Sequence, residues 1–380
     1  MTRDYLFLSA SLFLWGIGEG MFFYFQPIYL AQLGASPMTI GFVLGLGGLV
    51  MTLAHIPAGW LADRWGRRPL LWTAWVMGLI SAWLMALAKG LRVFAIGAIM
   101  YNFTAFVIAP LNSYLTEARG KLSIGRAITL SSSAFASGSV LGPFSAGLLA
   151  ETFSLRAIYF AAAGLFVLST LLVFFLRPQP REVHDGQESF RDLLDNTRYL
   201  NFLRLSFLAF FALYLPQSLT PNFLQNQRGL SLAQIGQLGS LGSLGNAVFN
   251  LVMGQLSPRL GFLLSQGGVL LFTLLIWKGS SLPWYGAAYL MLGGYRAARA
   301  LASAQARSLV KAHQMGLAYG IVETLNSLPL FLAPPVAGRL YELRPDLIYP
   351  LSLAMIALAL LLSLLLLPVP RSDSIHLSQD

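Results

Sequence analysis

The feature that most constrains this chain is an alternation of apolar runs, each about 20 residues or longer, with short gaps that carry most of its charge. A helix of about 20 apolar residues crosses roughly 30 Å of hydrocarbon, and a helix satisfies its own backbone polar groups there. Twelve such runs can be read, at about 5–33, 38–59, 69–89, 91–118, 126–150, 156–176, 199–226, 231–256, 261–279, 284–310, 317–340 and 347–368. Composition points the same way. Of 380 residues, 56% are hydrophobic and 11% charged, where a soluble domain carries about 25% charge. An all-α membrane protein of twelve transmembrane helices is predicted. The first run is too long for a signal-peptide core and lacks a cleavage site, so it is expected to remain as the first helix.

The net charge of +10 does not imply nucleic acid, because the Lys and Arg sit in gaps between apolar runs and not on one face. With the N-terminus inside, sixteen of the 25 Lys and Arg fall on cytoplasmic segments and seven on outside loops. The remaining two, Arg296 and Arg299, lie within a run. That bias predicts cytoplasmic termini in a multi-pass plasma-membrane protein. The compact loops suggest a bacterial inner membrane. There are no cysteines, and four scattered histidines lack ligand spacing, so neither a metal nor a cofactor is expected. Gly45-Leu46-Gly47-Gly48 lacks the Lys-Ser/Thr of a P-loop, and nothing resembles a nucleophile–base pair. No enzyme is predicted.

The chain also divides. Residues 177–198 are rich in Pro and charge, and separate an N-terminal unit, 1–176, from a C-terminal unit, 199–368, with a tail at 369–380. The two units repeat each other. Ser36, Ile40, Gly41, Gly59 and Gly66 recur 195 positions later as Ser231, Ile235, Gly236, Gly254 and Gly261. Gly125, Pro143, Ala146 and Gly147 recur 191 positions later as Gly316, Pro334, Ala337 and Gly338. Two pseudo-symmetric six-helix bundles are therefore expected.

Two motifs carry a family resemblance. The gap Gly59-Trp60-Leu61-Ala62-Asp63-Arg64-Trp65-Gly66-Arg67-Arg68 resembles the signature of the major facilitator superfamily between helices 2 and 3. The second unit keeps a reduced form, Gly254 to Gly261, in which Ser257 replaces Asp and Arg259 remains. In the fifth run, Gly138, Gly142, Pro143, Ala146 and Gly147 resemble the antiporter motif of drug–proton exporters, with Ala146 in place of a glycine. The arginine that such exporters carry in the fourth run has no counterpart between Ile99 and Ala105. The resemblance implies alternating access to a site between the bundles. It also implies that Asp63, Arg64, Arg67 and Arg68 form a gating latch; a solvated turn that only sets topology is the plainer reading.

Charges inside the runs carry the chemistry. Trp15, Glu19, Phe22, Gln26 and Tyr29 follow at steps of 4 and 3 and share one helical face. A carboxyl at that depth costs about 2.5–3.5 kcal/mol on insertion scales, so Glu19 should face a wet cavity or a partner. Arg296, Arg299, Ser303 and Arg307 form one stripe of the tenth run, and Glu323, on a stripe with Asn326, is the nearest acid in sequence. If Glu323 pairs with Arg299 it is structural, which leaves Arg296 for Glu19 or for an anion. Serving both in alternation would be a coupling mechanism, since protonating the carboxylate frees the arginine; Glu19 and Glu323 are the proton-coupling candidates, and Arg–Glu scaffolding is the plainer reading. Tyr101, Asn102, Tyr214, Gln217, Asn246, Asn250 and Asn326 fall in runs that line the central cavity of the family. Each can equally bond a neighbouring helix.

The function expected is a secondary active transporter that exports amphipathic drug-like molecules in exchange for protons. Its partners would be a small-molecule substrate, protons and the lipid bilayer, without nucleic acid, and the chain would act as a monomer. Uptake of a small anionic or polar nutrient by proton symport is the alternative. A non-transporting sensor or lipid-handling protein on the same scaffold is a third reading.

Overall fold

The computed structural model describes residues 2–179, 196–307, 309–310 and 315–367, without the side chains of 55–63, 65, 109, 307, 315–317 and 319–320. The expected linker core and tail, and the side chains of Gly59 and Asp63, lie outside the described residues. Among those described, the regular structure is helical. In the first half the helices are α1 (Arg3–Phe23), α2 (Gln26–Gln32), α3 (Pro37–Trp65), α4 (Arg67–Leu87), α5 (Leu91–Phe103), α6 (Ile108–Ala118), α7 (Ile124–Thr152) and α8 (Leu155–Phe174). In the second half they are α9 (Thr197–Tyr214), α10 (Thr220–Arg228), α11 (Leu232–Met253) and α12 (Pro258–Lys278). That half closes with α13 (Leu282–Met291), α14 (Gly294–Arg307), α15 (Met315–Leu343) and α16 (Ile348–Leu366). Seven of these helices are each long and apolar enough to cross a bilayer, or eight spans if the bent pair 91–107 and 110–118 counts as one.

Four runs that read as continuous in the sequence are interrupted. The first breaks at Tyr24–Phe25, just before Pro27. The fourth passes through a 3-10 turn, Thr104–Val107, and bends by 45°. The seventh unwinds between Tyr214 and Thr220, around Pro216 and ahead of Pro221. The tenth breaks at Leu292–Gly293. Proline removes a backbone donor and clashes with the preceding turn, so the breaks in the first and seventh runs are local consequences of sequence. The interrupted runs are every third one in chain order. Broken helices are tolerated at membrane depth where protein or a wet cavity covers them.

The repeat seen in the sequence has a structural counterpart at the first turn of each half. Gly34 and Gly229, 195 positions apart, both hold positive φ, 88° and 69°. Each precedes a serine that caps the next helix. Ser36 Oγ accepts from the Thr39 amide at 3.2 Å, and Ser231 closes a capping box with Gln234. Pairing repeats as well: α1 packs on α7 and α8 as α9 packs on α15 and α16, and α4 on α8 as α12 on α16.

Small residues let these helices approach backbone to backbone. A Cβ placed on Gly138 would stand 2.2 Å from Phe13 O, and one on Gly142 2.3 Å from Ile17 O. These two glycines therefore seat α7 against α1 within the first half. Pro143 and Gly147 face the other way: a Cβ on Gly236 of α11 would lie 2.4 Å from Pro143 O, and one on Gly147 2.8 Å from Leu232 O. The matching contact joins α3 to α15, where a Cβ on Gly41 would lie 2.3 Å from Pro334 O and one on Gly48 2.5 Å from Leu330 O. Ser240 Oγ donates to Val140 O at 2.6 Å, and Asn222 Nδ2 to Pro27 O at 3.0 Å. All of these inter-half approaches lie toward the end of the molecule opposite the termini. Toward the other end, Asn250 of α11 and Glu323 of α15 are exposed. Large apolar side chains such as Phe153 and Leu365, 74% and 71% exposed, face outward as a bilayer requires.

Filling the α1–α7 contact should be costly. Gly142→Val is expected to lower stability by about 1–3 kcal/mol or more, because backbone and not a flexible side chain blocks the added atoms. Gly164, with nothing within 4 Å of its Cβ position, should tolerate Ala without loss. Thermal unfolding of the two variants in detergent checks the contrast.

Candidate functional site

The most chemically specific arrangement surrounds Glu19. The 3.6-residue period brings Trp15, Glu19 and Phe22 to one side of α1, and α5 supplies Tyr101 opposite. Tyr101 Oη donates to Glu19 Oε2 at 2.5 Å, in the range of a charge-assisted O–H···O⁻ bond. Trp15 Nε1 donates to Tyr101 Oη at 2.9 Å, so the phenol is held from both sides. Trp15 in turn lies on Phe166, with centroids 4.3 Å apart, and Phe22 meets the Tyr101 ring edge-on at 4.9 Å. Trp15 and Phe22 are buried in this aromatic cluster, while Glu19 is half-buried at its edge. They support the carboxylate and are not themselves open surface. Beneath them Trp75 Nε1 donates to Ser11 Oγ at 2.8 Å and Ser169 Oγ at 3.0 Å. Among the described residues, no cation stands within 4 Å of Glu19.

The second half carries the opposite charge. Arg299 Nη2 donates to Glu323 Oε2 at 2.8 Å and to Ser327 Oγ at 3.2 Å. Ser303 Oγ donates to Glu323 Oε1 at 2.8 Å. Of the alternatives open in the sequence, the structure contains the Arg299–Glu323 pair. Its acid is half-exposed and its base largely covered, with side-chain exposures of 49% and 23%. Arg296, one turn earlier on α14, is exposed and forms no ion pair within 4 Å among the described residues. Asn326 is fully buried, and neither its Oδ1 nor its Nδ2 has a hydrogen-bond partner among the described residues.

The other sequence candidates divide by where their polar atoms go. Asn102 Nδ2 returns to Ala98 O at 2.9 Å, Gln217 Nε2 to Leu213 O at 2.7 Å and Asn250 Nδ2 to Asn246 O at 2.7 Å. Each of these amides returns one N–H to the backbone four residues earlier. Gln26 is buried at the start of α2, and Tyr214 stacks at 5.5 Å on Tyr295. In the gating motif, Gly66 holds φ 87° between α3 and α4, which a side chain would strain. Arg67 Nη1 donates to Gln179 Oε1 at 3.4 Å, and Gln179 Nε2 to Tyr114 O at 3.0 Å, so the motif ties down the chain leaving α8. The Arg68 guanidinium lies 4.0 Å over Trp72.

Tyr24 escaped the sequence reading. It sits in the break of the first run, off the Glu19 stripe, and reaches the second half. A Cβ on Gly242 would lie 3.0 Å from its hydroxyl, and its ring is 6.1 Å from Tyr289. Pro27 marks the break, but helical periodicity gives no direction to a residue inside one.

The family model described as Major Facilitator Superfamily matches residues 8–334 and 206–379. Multidrug resistance protein 1 of Bacillus subtilis is 22% identical over 365 residues, 93% of each chain. Multidrug resistance protein MdtG of Escherichia coli is 31% identical over 179 residues, 46% of this chain and 44% of that protein. Among solved structures, a mutant of the nucleoside transporter NupG superposes with a TM-score of 0.86 at 14% identity, covering 96% of this chain and all of that one. A D-xylose–proton symporter superposes at 0.73 with 14% identity, covering 96% of this chain and 98% of the other. At these identities the structures establish the fold.

If the Arg299–Glu323 pair is structural, its partners should be coupled. Arg299→Ala and Glu323→Ala are each expected to destabilise, and the double variant to lose less than the sum by about 0.5–3 kcal/mol. Thermal unfolding of the four-member cycle in detergent measures it.

Proposed function

This chain belongs to the major facilitator superfamily and is a membrane transporter, not an enzyme; from that premise we propose that it exports amphipathic drug-like molecules in exchange for protons. In this reading twelve spans form two six-helix bundles, 1–176 and 199–368, joined by 177–198, with both termini cytoplasmic in a bacterial inner membrane. Closure between the bundles lies opposite the termini, so the conformation is open to the cytoplasm. The superfamily's multidrug resistance relatives support export.

The observation that carries the proposal is the Glu19–Tyr101–Trp15 chain. An acid at membrane depth with no cation beside it is a functional site by default. The Tyr101 phenol can serve both of its protonation states. Trp15 occupies one lone pair of the phenol oxygen, and the phenol proton goes to the carboxylate. When Glu19 is protonated, the second lone pair can accept its proton instead. A substrate cation arriving from the cytoplasm meets the carboxylate, with aromatic rings behind it. After the bundles rock, a proton from outside displaces that cation. Glu323, engaged by Arg299 and Ser303, is assigned a scaffolding role. Asp63, Arg64, Arg67 and Arg68 are assigned to the gate and not to substrate choice.

Arg296 favours a second reading, proton-coupled uptake of an anionic or polar nutrient, because its charge is unmatched by a nearby acid among the described residues. The two readings separate in purified protein reconstituted in liposomes. Lipophilic cations, a nucleoside and a pentose should be offered with and without a pH gradient. Export predicts gradient-driven movement of the cations that Glu19→Gln abolishes and Arg296→Ala leaves within about twofold. Movement of the nucleoside or pentose, lost in Arg296→Ala, overturns export.

Tyr101→Phe should retain the fold and lower gradient-driven flux by about tenfold, since a hydrogen bond to a charged group is worth about 1.5–3 kcal/mol. Flux equal to that of the parent protein would reduce Tyr101 to a packing residue.

A further inference from the structure

Two carboxylates bridge the halves at the end opposite the termini. Glu151, in the last turn of α7, accepts from the backbone amide of Ala233 at 3.0 Å and from Ser231 Oγ at 3.2 Å. Ala233 lies in the first turn of α11, in the other half. Glu342, in the last turn of α15, accepts through Oε1 from the backbone amide of Met38 at 3.1 Å. Met38 lies in the first turn of α3, again in the other half. Arg339 holds the second oxygen of Glu342 at 3.7 Å. The two contacts are images of one another. Glu151 and Glu342 are 191 positions apart, and Met38 and Ala233 are 195 apart, the two offsets at which the halves repeat.

The physics at each contact is the same. The first amides of a helix have no partner within it and carry the positive end of its dipole. Ser36 and Ser231 already cap these helices from within their own halves. The acid from the opposite half takes a further amide of the same first turn. Each clasp therefore exists only while the halves are closed at this end. Separation would return one carboxylate and one exposed helix end to water, twice over. Neither contact belongs to the sequence motifs or to the site around Glu19.

We infer that Glu151 and Glu342 form a paired clasp that holds the gate opposite the termini shut, each neutralising the opening turn of a helix in the other half. The inference rests on the alternating-access reading, and concerns which state is favoured, not what is carried. Hydrogen bonds to charged groups are worth about 1.5–3 kcal/mol, so loss of one clasp should shift the closed-to-open ratio by about tenfold. The two lie on separate helix pairs, so removing both should give about a hundredfold. Gln keeps an acceptor oxygen and loses the charge, so Gln variants should fall between the parent and Ala.

The chain has no cysteines, which makes the test direct. Lys89→Cys and Ser280→Cys place spin labels on exposed loops of the two halves at this end. Pulsed-dipolar distance distributions of the reconstituted protein are then compared for the parent, Glu151→Ala, Glu342→Ala, the double variant and the Gln pair. Growth of a longer distance in the order parent, Gln pair, Ala double supports the clasp. Two populations whose ratio ignores every substitution overturn the clasp and leave rocking intact. One unchanging distance in all variants overturns both. Should the Ala double variant fail to fold, the single and Gln variants carry the same ranking.

Discussion

A bilayer interior contains no water to repair a missing partner, and most of this molecule follows from that deprivation. Backbone groups are satisfied within helices, and helices meet through glycine and proline where side chains would keep them apart. Several polar side chains at depth find one another: Ser11 with Trp75 and Ser169, Glu19 with Tyr101, Arg299 with Glu323. Lipid tails are as apolar as leucine, so greasiness alone does not hold the bundle together. Close van der Waals fit and these interior hydrogen bonds do.

The same deprivation explains how charge is distributed between the halves. The first half presents one acid backed by aromatic rings and a phenol donor. The second presents a paired Arg and Glu with a further arginine one turn away. An ion pair at depth stays charged and rigid because each member stabilises the other. A carboxylate whose hydrogen-bond partner is a neutral phenol has no such lock. In the proposed reading, that difference in partner, and not in depth, separates a scaffold from an exchangeable site.

Much of the architecture was legible in the sequence because hydropathy and small-residue spacing report directly on bilayer physics. The apolar runs fall on helices, and the small residues of 138–147 lie where helices approach closely, Gly138 and Gly142 within one half and Gly147 across to the other. The breaks were not legible, because an apolar run remains apolar whether or not Pro27, Pro216 or Gly293 interrupts its helix. Periodicity puts Trp15 and Phe22 on the side of Glu19, where they are found, but cannot say whether a face meets a cavity or another helix; here both are buried among aromatic rings. Asn102, Gln217 and Asn250 fit either a cavity or a helix contact by position alone, and in the structure each amide returns one N–H to a backbone carbonyl four residues earlier. Tyr24 was missed because its direction is set by an unwound turn. The Arg299–Glu323 pair was one of several allowed by charge balance, and only geometry selects it.

The inter-half contacts are made largely of glycine and backbone, with few interlocking side chains: Gly41 and Gly48 against 330–335, and Gly147 and Gly236 against each other's helices. A surface of that kind behaves as a plain bearing. With few knobs seated in holes, Tyr24 against Gly239 and Gly242 being one, one half has little to lift out of register before it can roll on the other. Such a bearing supplies little direction of its own, so directionality has to come from whatever grips its ends.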